Sequence, residues 1–400
     1  MSRDSNDLLG RFKNRSINTG ANLSKAPEGM PVPLTAGQKR LWFYQQAHPK
    51  SAAYNYGIRY FGEGKFNLER FRQAWEALAV EYTILRSYYP LVNNKPEIKI
   101  TDEIPPLVYK DLTQEATPEE VAKKEEYALL HHNYELGQAH LCSFLVLKTG
   151  PEKYRFTFAT HHILVDEWSV GGIIQNLADY YANGFKAERE IIDFRDVAWS
   201  FHQKDESRHL PYWTDYIRGA QAGSGLVPDF QRGSSPTGTG ARWAFSLPTS
   251  LSKQSKKQAQ ELGLTLFEWC FGLFGLHLHQ LGGNSDFIVA SPATLRQDLA
   301  LQKHWGYLIE TVLYRFRFDQ NKTLKELLSE LSADHRKAQG KLPLPLENLV
   351  SEQQASRDLS RNPLFETMFV FNESQETPSS GKILSGLRKS HLPWKRQNLI

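Results

Sequence analysis

Cysteine is nearly absent from this 400-residue sequence, with Cys142 and Cys270 the only two. Each sits in an apolar run, so a disulfide framework is excluded and both read as buried thiols in a reducing compartment. No CxxC or other metal-ligand spacing occurs, and no metal is expected. Long apolar stretches are also scarce. The most apolar one, LFEWCFGLFGLHLHQL from Leu266 to Leu281, is too short to span a bilayer and carries Glu268, His277, His279 and Gln280. A helix buried in a protein core is expected there. The opening MSRDSNDLLG lacks the apolar region of a signal peptide. Dense charge of one sign is missing as well: 48 basic against 44 acidic residues leave +4, with the signs interleaved. That balance argues against a nucleic-acid partner. A cytoplasmic protein with no membrane or nucleic-acid partner is the expectation.

What is present suits one large domain or two fused lobes, since 40% hydrophobic content provides for a substantial core. Residues 1–30 are rich in Ser, Asn, Gly and Lys and read as a flexible tail or linker. An N-terminal lobe is expected over 31–218. Its first helix lies in PLTAGQKRLWFYQQ with Thr35 as N-cap, its second after Asn67, where Phe71, Trp75, Leu78 and Tyr82 recur at helical spacing. Thr117, Pro118 and Glu120 predict a capping-box start to a third. YRFTFATHH alternates, placing Tyr154, Phe156 and Phe158 on one face of a strand, and SVGGIIQNLADYY predicts a helix striped by Ile173, Leu177 and Tyr180. Residues 219–240, dense in Gly, Ser and Pro, predict an inter-lobe linker. In the C-terminal lobe, 241–400, helices are expected in LSKQSKKQAQELG, in TLFEWCFGLFGLHLHQLGG with a Thr265–Glu268 capping box, and in TLKELLSELSADHRKAQ. Strands are expected in DFIVASPAT and TVLYRFRF. Mixed elements on both sides of the linker indicate two α/β or α+β lobes of similar size.

The candidate chemistry lies in TFATHHILVDEWSVGG, residues 157–172, where adjacent histidines precede an aspartate by four residues at a strand end. The hexapeptide alone leaves two readings equal. Either His161, His162 and Asp166 are a working site, or His161 faces the core, His162 caps a strand and Asp166 is a turn residue. The pair His131–His132 serves as a control: it lies on a predicted helix, has Leu136 where the aspartate would be, and reads as structural or exposed.

The surrounding text separates these readings. PLTAGQKRLWFYQQAHPKSAAYN, ILRSYY, HHILVDEWSVG, GYLIETVLYR, LPLENLV and RDLSRNPLFETMFVFN occur in the order of six motifs of nonribosomal peptide synthetase condensation domains, a family the chain resembles from about residue 31 to its end. The resemblance implies a pseudo-dimer of two chloramphenicol-acetyltransferase-like lobes with a tunnel between them. It implies donor and acceptor carrier proteins as partners, with adjacent synthetase domains, and phosphopantetheine carried on those partners rather than bound by this chain. Amide-forming acyl transfer between the two carriers, in nonribosomal peptide or hybrid polyketide–peptide biosynthesis, is the implied activity. His162 matches the family's active-site histidine, His161 its neighbour, and Asp166 the aspartate thought to organise the site. Arg315 matches the arginine ending the fifth motif, so an Asp166–Arg315 ion pair is expected, with Arg86 as the rival partner.

Departures from the family accompany the match. Glu167 stands where glycine usually follows the aspartate, Glu310 where asparagine is usual, Ser200 where tryptophan is expected, and Glu81–Tyr82 replace Arg-His. Glu167, Trp168 and Glu310 are the candidates to face substrate; if Glu167 points to solvent instead, it does nothing. These changes point to an acyl donor of polyketide or fatty type, or to an unusual nucleophile. LRKSHLPWKRQNLI ends where the family would continue into further segments, so an incomplete second lobe is expected. Two other activities fit the same motifs: a catalytically silent carrier-docking module, and an ester-forming acyltransferase of the same superfamily.

Overall fold

The computed structural model describes residues 23–185, 191–204, 206–233, 240–296, 298–352, 361–372 and 388–390. The expectations for residues 1–22 of the tail, and for the C-terminal stretch apart from 388–390, lie outside the described residues. The chain divides into two units. One is built from Met1–Lys204, Arg296–Leu308 and Thr377–Leu392, the other from Asp205–Leu295, Ile309–Glu376 and Pro393–Ile400.

In the first unit the chain runs through α1 (Ala36–Ala47), β1 (Asn55–Glu63), α2 (Leu68–Glu81), β2 (Leu107–Asp111), α3 (Pro118–Leu130), β3 (Cys142–Gly150), β4 (Lys153–His161), α4 (Glu167–Asn183) and α5 (Phe194–His202). β4 lies between β1 and β3, antiparallel to both, and β2 joins β3 in parallel. The three-residue strand Arg388–Ser390 completes the sheet beside β1. Alternation along β4 sorts its side chains as the sequence predicts. Phe156 and Phe158 meet the rings of Phe71 and Trp75 from α2. The opposite face is not left to water. Arg155 and Thr157 reach the fully buried Glu126 of α3, and Arg59 of β1 ion-pairs with the same carboxylate. Charge is tolerated here because two guanidinium groups surround one carboxylate and satisfy its lone pairs.

Helix starts follow their caps. Thr35 and Gln38 form a capping box, Asn67 accepts the Arg70 amide at 2.9 Å, and Thr265–Glu268 form a second box. The box expected at Thr117 is corrected: Thr117 makes no side-chain cap bond. Its carbonyl takes the Glu120 and Val121 amides, and the Glu120 carboxylate turns instead to Lys123 at 2.7 Å. Pro118 still opens α3, where its missing N–H costs nothing. Residues 23–26 run along α5, with the Ser24 amide donating to Ser200 Oγ and the Ala26 amide to Asp196.

The second unit contains α6 (Leu210–Ile217), α7 (Thr249–Glu261), α8 (Leu266–Gly282), β5 (Asp286–Thr294), β6 (Ile309–Arg317), α9 (Leu324–Gln339) and α10 (Leu346–Glu352). β5 and β6 pair antiparallel along their whole length. The apolar α8 is a core helix, with Phe271 and the strand residues Phe287, Tyr314 and Phe316 all buried. A Cβ at Gly275 would lie 2.0 Å from the Phe316 ring, so only glycine lets helix and strand approach this closely. No helix among the described residues is long and apolar enough to cross a membrane. Cys142 is buried as expected, whereas Cys270 is only half-buried; both are free thiols.

Candidate active site at the end of strand β4

β4 ends in a buried histidine, and α4 begins six residues later. His161 pairs in register with Asn55, and the His162 amide still bonds to the Tyr54 carbonyl at 2.8 Å. The chain then turns: Leu164 and Val165 amides donate back to the His161 and His162 carbonyls. This short turn leaves the two adjacent imidazoles in opposite environments.

His161 is fully buried, within ring contact of Tyr54 and Tyr134. Its Nδ1 accepts the Ile163 amide at 3.1 Å, so the ring hydrogen sits on Nε2. Burial, and secondarily its neighbour His162, hold its pKa down at about 3, which keeps it neutral. His162 is half-buried and uses its nitrogens the other way round. Its Nδ1 lies 2.6 Å from the Val165 carbonyl, an acceptor only, so Nδ1 carries the hydrogen and Nε2 keeps the basic lone pair. The rings of Tyr56 and Tyr307 stand on its flanks, each with its centroid 5.5 Å away.

Asp166 is the N-cap of α4 and is 1% exposed. Its Oδ1 accepts from the Ser169 amide and hydroxyl at 2.9 and 2.7 Å; its Oδ2 accepts from Arg296 Nη1 at 2.5 Å and the Leu308 amide at 3.1 Å. Four donors saturate the carboxylate, which makes it a strut rather than a proton acceptor. The expected ion pair is therefore corrected: Arg296, not Arg315 or Arg86, meets Asp166. Arg296 also donates to Ser169 Oγ and the Gly306 carbonyl, and Ser169 Oγ accepts the Gly306 amide. These bonds seat residues 296–308 on the start of α4. Close packing adds to them. Trp305 stacks on Tyr82 at 3.5 Å, and a Cβ at Gly306 would lie 1.9 Å from the Phe194 ring.

The remaining candidates fall elsewhere. Arg315 pairs with Asp286 within the second unit and donates to the Tyr216 and Arg218 carbonyls. Arg86 donates to the Ala79 and Thr101 carbonyls. Glu310 is 1% exposed on β6, opposite Ala293. Glu167 and Trp168 occupy the exposed first turn of α4, and Glu167 accepts a hydrogen bond from the Tyr56 hydroxyl. Sequence reasoning missed Ser169, Arg296, Tyr56 and Tyr307. Ser169 had a signal, since Asp-x-x-Ser is the spacing of an N-cap and its third helical residue. No group of three or more His, Cys, Asp or Glu among the described residues is arranged to hold a metal ion.

The fold is shared with known proteins. The family model described as Condensation domain matches residues 30–394, and the chain belongs to that family. It is 28% identical over 350 residues to tyrocidine synthase 3 of Brevibacillus parabrevis, covering 86% of this chain and 5% of that protein. It is also 28% identical over 378 residues to phosphinothricin tripeptide synthetase PhsC of Streptomyces viridochromogenes, covering 91% and 35%. The chain thus spans a small part of the length of these relatives. Among solved structures, the condensation domain of the monacolin K polyketide synthase MokA superposes with a TM-score of 0.77 at 18% identity, covering 92% of this chain and 86% of that one. The X-domain from teicoplanin biosynthesis superposes with a TM-score of 0.75 at 18% identity, covering 92% and 83%. These likenesses establish the two-lobed chloramphenicol-acetyltransferase-like fold.

Proposed function

We propose that this chain forms an amide bond between two carrier-bound substrates, moving an acyl group from a donor thioester to the amine of an acceptor. The observation that carries this reading is the orientation of His162, whose Nδ1–H is engaged by Val165 so that Nε2 is left as a base. The amine nitrogen attacks the thioester carbonyl, forming the C–N bond, while Nε2 takes a proton from that nitrogen. The tetrahedral intermediate collapses, the C–S bond breaks, and the phosphopantetheine sulfur leaves with the proton returned by the imidazolium. Amide and free thiol are the products. A thioester is already activated, so the step asks little of the protein. An α-amino group near 7.7–8.0 and an ordinary imidazole near 6.5 exchange a proton only mildly uphill. General-base help of this kind supplies about 10²–10⁴ in rate, and positioning of two tethered reactants supplies at least as much.

The roles assigned are His162 as base, His161 as a neutral buried support, and Asp166 with Arg296 as the brace of the turn between them. The test is a carrier-to-carrier transfer assay comparing wild type with His162→Ala. Loss of about 10²-fold or more in turnover supports the reading, and equal rates overturn it. A folded protein that binds carriers yet transfers none of a broad donor set would favour a docking role instead.

A further inference from the structure

Glu167 stands at the first helical position of α4, where an acidic residue is ordinarily explained by the positive end of the helix dipole. That explanation does not account for its partner. Tyr56 of β1 lies one residue beyond Asn55, the register partner of His161; its ring flanks His162 while its hydroxyl donates to the Glu167 carboxylate. A second tyrosine on the same face of β1 registers the same charge. Burial first, and then Glu167, push the Tyr60 phenol up to about 12. The carboxylate thus engages the tyrosine whose ring flanks the imidazole.

We infer that Glu167 and Tyr56 form a hydrogen-bonded acidic couple that acts on His162 as a positioning element and makes the site select an acceptor that arrives as an ammonium over a neutral hydroxyl analogue. The inference rests on the amide-forming reading of the site. A carboxylate hydrogen-bonded to the tyrosine that flanks the imidazole favours the imidazolium that forms when Nε2 takes a proton, and it attracts a cationic acceptor in the same way. His161 is held neutral by burial, Tyr56 and Tyr307 are phenols, and the Asp166 charge is balanced by Arg296.

Two substitutions separate charge from shape. Glu167→Gln keeps an acceptor for the Tyr56 hydroxyl and removes the charge; Tyr56→Phe keeps the ring against His162 and removes the hydrogen bond. Glu167 is exposed and Tyr56 half-buried, so both variants are expected to fold, to be checked by circular dichroism. The first readout is the imidazole titration of His162, followed by NMR in the full chain without substrate. Glu167→Gln is expected to lower that pKa by about half a unit or more, and Tyr56→Phe to lower it less. The second readout compares an amine acceptor with its hydroxyl isostere, each loaded on the same carrier. Glu167→Gln is expected to reduce the amine-over-hydroxyl preference about 3- to 10-fold, mainly through KM. A His162 titration that moves by less than about 0.2 unit in Glu167→Gln overturns the inference, as does an unchanged preference. If His162→Ala abolishes transfer while both readouts stand still, the couple is refuted and the amide-forming reading survives. If His162→Ala transfers as wild type, that reading falls, and the selection inference built on it falls too.

Discussion

Two arginine–aspartate pairs of the same length sit in different surroundings. Arg296–Asp166 and Arg315–Asp286 both close to 2.5 Å, but the side chains of the first are 3% and 1% exposed while those of the second are 9% and 39% exposed. The pair in the first unit lies 130 residues apart in sequence and braces the turn that carries His162; the pair in the second unit lies 29 apart and ties neighbouring ends of β6 and β5 together. Distance alone would rank them equal. Burial does not, because a buried charge deprived of its partner has no water to turn to, whereas Asp286 does.

Neutralising Asp166 is the strongest way to break the comparison. Asp166→Asn preserves an N-cap of nearly equal quality but strands the Arg296 charge, with an expected loss of about 3–5 kcal/mol in chemical denaturation and of transfer activity. Acid sharpens a related contrast between the units. His161 in the first and His335 in the second are both held by burial at about 3, against an ordinary 6.5. Unfolding lets each take up a proton below pH 6.5, so stability is complete above that pH and falls as pH drops toward 3. The slope is about 1.4 kcal/mol per pH unit for each histidine, or about 2 kcal/mol each at pH 5. Denaturation of His335→Phe across pH 5–8 should show a shallower acid slope than wild type. Arg315→Met should cost about 1–2 kcal/mol, less than Asp166→Asn, because Asp286 can be hydrated. The smallest expected effect comes from salt. Raising NaCl from about 0.05 to 1 M should erase several tenths of a kcal/mol from the coupling of Arg315 to Asp286 in a double-mutant cycle and leave the Arg296–Asp166 coupling nearly unchanged.

The same contrast shows what could be read from the sequence. Strand β4 was legible by its alternation, and β5 and β6 by β-branched and aromatic content. Thr35, Asn67 and Thr265 announced their helices by local hydrogen-bonding chemistry. His162 and Asp166 stood out by type and spacing. The arginine was not legible, since Arg86, Arg296 and Arg315 are all available and nothing local to any of them records a carboxylate 80 or more residues away. The start of α4 was misjudged by two residues for a related reason: Asp166 drew attention as a chemical group, which masked its ordinary work as an N-cap with Ser169. The buried cluster of Arg59, Arg155 and Glu126 escaped notice because charged residues on a strand read as a solvated face, and only α3 covering that face makes them interior.

The return of residues 296–308 to the first unit has a consequence for how the protein is made. Asp166 leaves the ribosome 130 residues before Arg296, a delay of about 7–26 s at ordinary elongation rates. During that interval the nascent histidine turn holds an unpaired carboxylate, and most of the intervening polypeptide is destined for the other unit. A pause or a rare-codon cluster between these positions would lengthen the exposure of that half-built turn, so the yield of active protein should depend on translation speed through this interval more than through any other.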